Sequence, residues 1–119
     1  MSIVIGVLSL LLTAAFLSAG GARLIGAEPL RSYATHLEVS PRANKAVGAI
    51  ELAAAAGLIV GFWFRPAAFA ASIGLVVLMV GTVVRHVRIG DPAAAVAPAA
   101  TLGVLAVANA VLLGLAGAV

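Results

Sequence analysis

Cysteine is absent from this chain, which removes disulfides, thiolate metal sites, cysteine-ligated iron-sulfur clusters and thiol redox chemistry from consideration. Charge is almost as scarce: 9% of the 119 residues are charged and 64% are hydrophobic, whereas a soluble domain carries about 25% charged residues. A water-facing fold of this length needs polar residues on every face turned to solvent, and the long apolar runs here hold almost none. With a mean hydropathy of +1.24, the solvent is lipid. The formal charge of +3 comes from seven basic residues scattered at the ends of the apolar runs. They make no basic stripe, so nucleic acid is not expected as a partner, and anionic lipid headgroups are the expected counter-ions.

What is present is a set of long apolar segments. A hydrocarbon core of about 30 Å needs about 20 apolar residues in a helix, and four segments meet that measure, predicting helices at about 3–25, 41–64, 66–88 and 92–118. The first is uncharged until Arg23. A cleavable signal peptide is the competing reading for it, but no basic region precedes it and three more spans follow, so it reads as a membrane anchor. Ser40-Pro41 supplies a cap and a first-turn proline for the second span, Arg65-Pro66 starts the third, and Asp91-Pro92 after Gly90 repeats the pattern for the fourth. Pro98 falls in the first turns of that last helix. In the long connection between the first two spans, Leu30, Tyr33, Ala34 and Leu37 recur at helical spacing and Pro29 is placed to open the turn, so a short amphipathic helix at the membrane interface is expected. The fold class is therefore all-α: one four-transmembrane-helix domain, residues 1–119, with an interfacial helix between the first two spans.

Basic residues beside the helix ends orient such a chain, because they are retained on the cytoplasmic side during insertion. The connection after the first span has Arg23, Arg31, Arg42 and Lys45, that after the third has Arg85 and Arg88, and that after the second has only Arg65. Both termini are expected outside, with the first and third connections in the cytoplasm.

Glu51 needs an explanation, since it sits about one and a half turns inside the apolar part of the second span, where a carboxylate costs on the order of 1–3 kcal/mol. Arg23, Arg85 and His86 end at the same depth. Helical spacing places Ser9, Thr13, Phe16, Gly20 and Arg23 on one face of the first span, Asn44, Gly48 and Glu51 on one face of the second, and Thr82, His86 and Ile89 on one face of the third, with Arg85 on its flank. Because glycines share these faces, and small residues let helices approach closely in lipid, the faces are expected to point into the bundle. The candidate site is thus a polar cluster of Arg23, Glu51, Arg85, His86 and Asp91. A blander reading stands beside it: Glu51 pairs with Arg23 or Arg85 to fix helix register, and Arg85 and His86 snorkel to the headgroups.

Other polar residues read as structural. His36 reads as a solvated loop residue, and no metal site is expected, because no H-x-x-x-H or E-x-x-H helical pair exists. Asn109 reads as a hydrogen-bonding link between helices, Gly57-x-x-x-Gly61 and the pair Gly74 and Gly81 as packing motifs, and Trp63 with Phe62 and Phe64 as an interfacial anchor.

Three elements carry a family resemblance: Phe16-x-x-x-Gly20-x-x-Arg23 closing the first span, Gly48-x-x-Glu51-Leu52 in the second, and His86 with Gly90-Asp91-Pro92 after the third. In these the chain resembles the DoxX-like family of small four-helix bacterial membrane proteins, over nearly its whole length. Arg23 stands where that family commonly has lysine, which keeps the charge and changes the hydrogen-bond geometry. The resemblance implies a four-helix bundle in the bacterial cytoplasmic membrane with the polar cluster inside. Relatives are linked to quinone-coupled sulfur oxidation, to oxidoreductase assemblies in oxidative-stress defence and, more distantly, to receptor assembly; no single reaction, and no catalytic residue, transfers.

Three functions compete. The leading expectation is a non-catalytic subunit or assembly partner of a membrane complex of oxidoreductase type, or a homo-oligomer, motivated by the small extramembrane mass and the lack of a redox group. The alternative is an intramembrane binder or enzyme for a small apolar molecule, lipid-like or quinone-like, whose polar end meets Glu51, Arg23 and His86. Proton-coupled export comes third, because Glu51 lies near one surface and the charge bias is strong.

Overall fold

The computed structural model describes residues 2–28 and 30–117; Pro29 and the end of the segment expected to reach 118 lie outside the described residues. Helices α1 (Ser2–Leu24), α3 (Pro41–Val60), α4 (Arg65–Arg88) and α5 (Ala93–Leu115) are each long and apolar enough to cross a bilayer, and a short helix α2 (Leu30–His36) lies between the first two. The spans pack in a closed ring, α1 on α3, α3 on α4, α4 on α5 and α5 on α1, with α2 against α1 and α3. The long dimension is 40 Å, the thickness of a bilayer with part of its headgroup layers.

The faces that meet are those expected from spacing. On α1 the buried positions are Ser9, Leu12, Thr13 and Phe16; on α3 they are Asn44, Glu51, Ala55 and Leu58; on α4 they are Ala68, Ser72, Leu75, Met79 and His86. Valine, leucine and isoleucine fill the opposite faces and stand exposed, as lipid-facing positions require. α2 turns Ala34 and Leu37 inward and leaves Arg31, Ser32, Thr35 and His36 outside.

Close approach is set by glycine at two crossings. A Cβ on Gly20 would lie 2.8 Å from the Gly48 carbonyl oxygen, and a Cβ on Gly48 would lie 2.8 Å from the Gly20 carbonyl oxygen and from Cβ of Arg23. Gly57 and Gly61 let α3 settle on Ala71 and Ala68 of α4. Gly74 and Gly81 do not act this way: nothing lies within 4 Å of a Cβ at either. Their spacing matches a packing motif, but they face outward, so the expectation of a second glycine contact on α4 is corrected.

Helix ends follow local chemistry. Ser40 caps α3, its Oγ accepting from the Ala43 amide at 3.1 Å, with proline in the first turn. α3 stops at Val60, short of the residue 64 expected, and residues 61–63 form a turn before Phe64, whose extended backbone precedes the Arg65-Pro66 start of α4. The end of α4 is a left-handed cap: Gly90 has φ +79°, and the Asp91 amide returns to the His86 carbonyl at 3.0 Å, the pattern in which the second residue past the helix closes on the last turn. Asp91 does not cap α5, contrary to the reading of Asp91-Pro92. The N-cap position is Pro92, without a side-chain bond, because the left-handed turn directs the Asp91 carboxylate back toward α4.

Candidate functional site

The crossing of α1 and α3 at Gly20 and Gly48 brings Arg23 beside Glu51. Arg23 Nη1 donates to Glu51 Oε1, and Arg23 Nε donates to Asn44 Oδ1 at 3.2 Å. The Glu51 side chain is 2% exposed and that of Arg23 13%. The guanidinium also lies 5.9 Å from the centre of the Tyr33 ring, within reach of a cation–π contact. Of the two partners that sequence offered Glu51, the structure selects Arg23.

Arg85 goes elsewhere. Its Nε donates to the Leu37 carbonyl at 2.7 Å and its Nη2 to the Glu38 carbonyl at 2.9 Å. These carbonyls belong to the turn that ends α2, where Glu38 has φ +59°, a conformation costly for a residue with a Cβ. Arg85 holds α2 down onto α4 and takes no part in the Glu51 pair, because the turn after α2 comes within its reach first.

His86 is buried, and it does not hydrogen-bond to Glu51. Its Nδ1 lies 2.5 Å from Asp91 Oδ2 and its Nε2 lies 2.6 Å from the Tyr33 hydroxyl. The carboxylate accepts only, so Nδ1 carries a hydrogen; in the neutral imidazole Nε2 is then the acceptor and the Tyr33 hydroxyl donates to it. His36 Nε2 donates to the same carboxylate, at 2.8 Å to Oδ1 and 3.1 Å to Oδ2. His36 is solvent-exposed, as its position suggested, but it closes α2 instead of lying in a loop and is tied to Asp91. The hydrogen bonds from His86 and then His36 hold the Asp91 carboxyl below the usual carboxylate range. Burial pushes the Tyr33 phenol above its ordinary value, against the lowering effect of Arg23 and with Asp91 and Glu51 adding to the rise.

The expected five-residue cluster thus divides in two, an Arg23–Glu51–Asn44 group and a His86–Asp91–His36 group, with Tyr33 between them. Tyr33 was missed as a site residue. Its signal was faint but present: it is the sole tyrosine of the chain on the apolar face of the interfacial helix, and a buried phenol needs a hydrogen-bond partner. Asn109, toward the other end of the bundle, donates to Ser72 Oγ at 3.1 Å and Ser9 Oγ at 3.3 Å, linking α5 to α4 and α1 as expected. Among the described residues no group of three or more His, Asp or Glu side chains is arranged to hold a metal ion.

Between the helices, next to the first group, lies a half-open cavity of about 190 Å³. Arg23, Tyr33, Glu51 and Thr82 are its polar lining residues, and Phe16, Met79, Ala99 and Leu102 are among its apolar ones. Met79 and Ala99 also border an apolar groove of about 350 Å³ on the lipid-facing side of α4 and α5.

Four apolar spans closed around buried charged-residue contacts define a small multi-pass integral membrane protein. The chain belongs to the DoxX-like family, which matches residues 7–116. No curated protein and no solved structure matches it.

Proposed function

We propose that this protein binds a small amphiphile, lipid-like or quinone-like, within the bundle. The observation that supports this reading is the cavity whose polar lining residues, Arg23, Tyr33, Glu51 and Thr82, converge from four helices while the rest of its lining is apolar. Few convergent polar groups in an apolar enclosure are the usual make-up of a small-molecule site. At about 190 Å³ the space suits one ring or a short segment of chain, with the remainder of the molecule lying in the adjoining lipid-facing groove. In this reading the site residues are Arg23, Glu51, Tyr33 and Thr82 at the ligand, with His86 and Asp91 behind Tyr33.

The test is native mass spectrometry of the full chain released from nanodiscs. Wild type should retain a co-purifying amphiphile, and Ala99→Phe, which fills the shared wall, should lose it while unfolding at a similar temperature. Retention by both proteins, or by neither, would overturn the proposal.

A second reading, a non-catalytic subunit of an oxidoreductase-type membrane complex, is favoured by how little of the described chain lies outside the spans: among the described residues, α2 and short turns. The two readings are compatible, since a subunit can hold the amphiphile on which a partner acts. Cross-linking in the native membrane followed by mass spectrometry should recover one stoichiometric partner; recovery of this chain alone would leave a homo-oligomer or a monomer. Export draws no support from the arrangement, because Glu51 is tied to Arg23 near one end of the bundle. We place the single domain, residues 1–119, in the bacterial inner membrane with both termini outside, on the strength of the six basic residues that flank the connections at the Glu51 end.

A further inference from the structure

We infer that His36, Asp91, His86 and Tyr33 form a proton path between water at this end of the bundle and the intrabundle cavity, serving a bound molecule that carries a weakly acidic hydroxyl such as a phenol or enol. The inference rests on the proposed amphiphile site and names the chemistry of the ligand's polar end.

The four groups are joined by consecutive contacts of 2.8, 2.5 and 2.6 Å. The path begins in water and ends at the cavity: the His36 side chain is 57% exposed and that of His86 is 2% exposed, and Tyr33 lines the cavity wall. Its polarity is also set. Asp91 accepts from both histidines, the neutral His86 ring accepts at Nε2 from the Tyr33 hydroxyl, and in the inferred path a lone pair of the Tyr33 oxygen accepts from the bound ligand. Burial keeps the phenol protonated, so the proton it relays is in place.

A purely structural account fits these contacts poorly. A capping aspartate would accept from the first amides of α5, and no such bond is made. The Tyr33 hydroxyl could be satisfied by any backbone carbonyl, and its partner is instead a titratable nitrogen backed by a carboxylate. The charged groups facing the path are Arg23 over the Tyr33 ring and Glu51 beyond it, while Arg85 on α4 is occupied by the carbonyls of Leu37 and Glu38.

The transfer balances without electrons. The O–H bond of the ligand breaks as its proton joins the Tyr33 oxygen, the Tyr33 proton passes to His86 Nε2, and the imidazolium formed stands against the Asp91 carboxylate. The ligand oxyanion is left beside the Arg23 guanidinium. The imidazolium gives its Nδ1 proton to Asp91, and Asp91 passes it to His36 Nε2 once water has moved the His36 hydrogen from Nε2 to Nδ1; the Nδ1 proton of His36 then leaves to water, and the reverse sequence delivers one.

The probe is 2-naphthol, a phenol that becomes strongly acidic when excited and emits at different wavelengths as naphthol and as naphtholate. With the full chain in nanodiscs, bound naphthol should show naphtholate emission in wild type. The naphtholate-to-naphthol ratio should fall by about tenfold or more in Tyr33→Phe and His86→Gln, with saturable binding kept. Equal ratios in wild type and Tyr33→Phe, or a loss in Glu51→Gln alone, would overturn the path. Absence of saturable binding would instead sink the cavity proposal, and the path is then judged without ligand. As Tyr33 is the only tyrosine, its near-ultraviolet band should differ between wild type and His86→Gln, which removes the nitrogen that the hydroxyl meets. Identical bands in the two proteins overturn the path as well.

Discussion

Arg23 is the residue on which this end of the bundle turns. It satisfies Glu51, bonds Asn44 and covers one face of Tyr33, so its loss strands a carboxylate where water cannot reach it. Removing one partner of a buried pair costs about 3–5 kcal/mol, and Arg23→Ala is expected to fall in that range by thermal unfolding in mild detergent. Arg23→Lys keeps the charge and gives up the planar donor array; a loss of about 1 kcal/mol is expected, since only one of the two bonds needs the second nitrogen. Asp91 supplies a pH dependence. Its folded-state value is depressed, chiefly by the hydrogen bond from His86, so its stabilisation is complete above the ordinary carboxylate range and is lost as pH falls through the depressed value. Unfolding temperatures recorded from pH 7 down to pH 3 should decline in wild type and decline less in Asp91→Asn. Arg23, Glu51, His86 and Asp91 were all legible as candidates, because polar groups are conspicuous in an apolar chain. Their pairing was not legible: Arg23 and Arg85 approach Glu51 at the same depth, and only the position of the turn after α2 draws Arg85 away.

At the scale of elements, two kinds of glycine separate. Gly48→Ala pushes a methyl against the Gly20 carbonyl and the Arg23 side chain, and overpacking of that kind costs about 1–3 kcal/mol. Gly74→Ala meets nothing and should be neutral or stabilising by up to about 1 kcal/mol through helix propensity; equal effects at the two positions would count against the α1–α3 crossing. The turn after α2 offers a complementary change. Glu38 holds φ +59° where glycine is ordinarily found, so Glu38→Gly should stabilise by about 0.5–1 kcal/mol, with the Arg85 bonds to backbone carbonyls intact. α2 itself was readable from Leu30, Tyr33, Ala34 and Leu37. That its apolar face would carry a site residue was not, because periodicity reports which side of a helix is buried and says nothing of what a phenol meets there.

For the molecule as a whole, the absence of cysteine turns orientation into a direct measurement. Single cysteines placed in the α1–α3 connection and in the α4–α5 turn should be labelled by a membrane-impermeant maleimide only after the cytoplasmic face is exposed, and one placed at residue 63 should be labelled in intact cells. The opposite pattern would invert the proposed topology without altering the bundle. Either way the Arg23–Glu51 pair and the His86–Asp91–His36 chain stand at one end, with the cavity just inside.

Composition and periodicity by themselves determined that the chain lives in lipid, that it crosses four times, which polar positions of the first three spans turn inward, and which polar residues gather at one end. These follow from local rules, since apolar run length, helical repeat and cap chemistry are properties of short stretches. Tertiary structure alone decided that Glu51 takes Arg23 and not Arg85, that Asp91 answers two histidines instead of capping α5, and that Tyr33 joins the two groups at the edge of a cavity. Each of these depends on where four separate helices place side chains to within about an ångström, and one residue's hydrogen bond is settled by which partner the packed helices bring within reach.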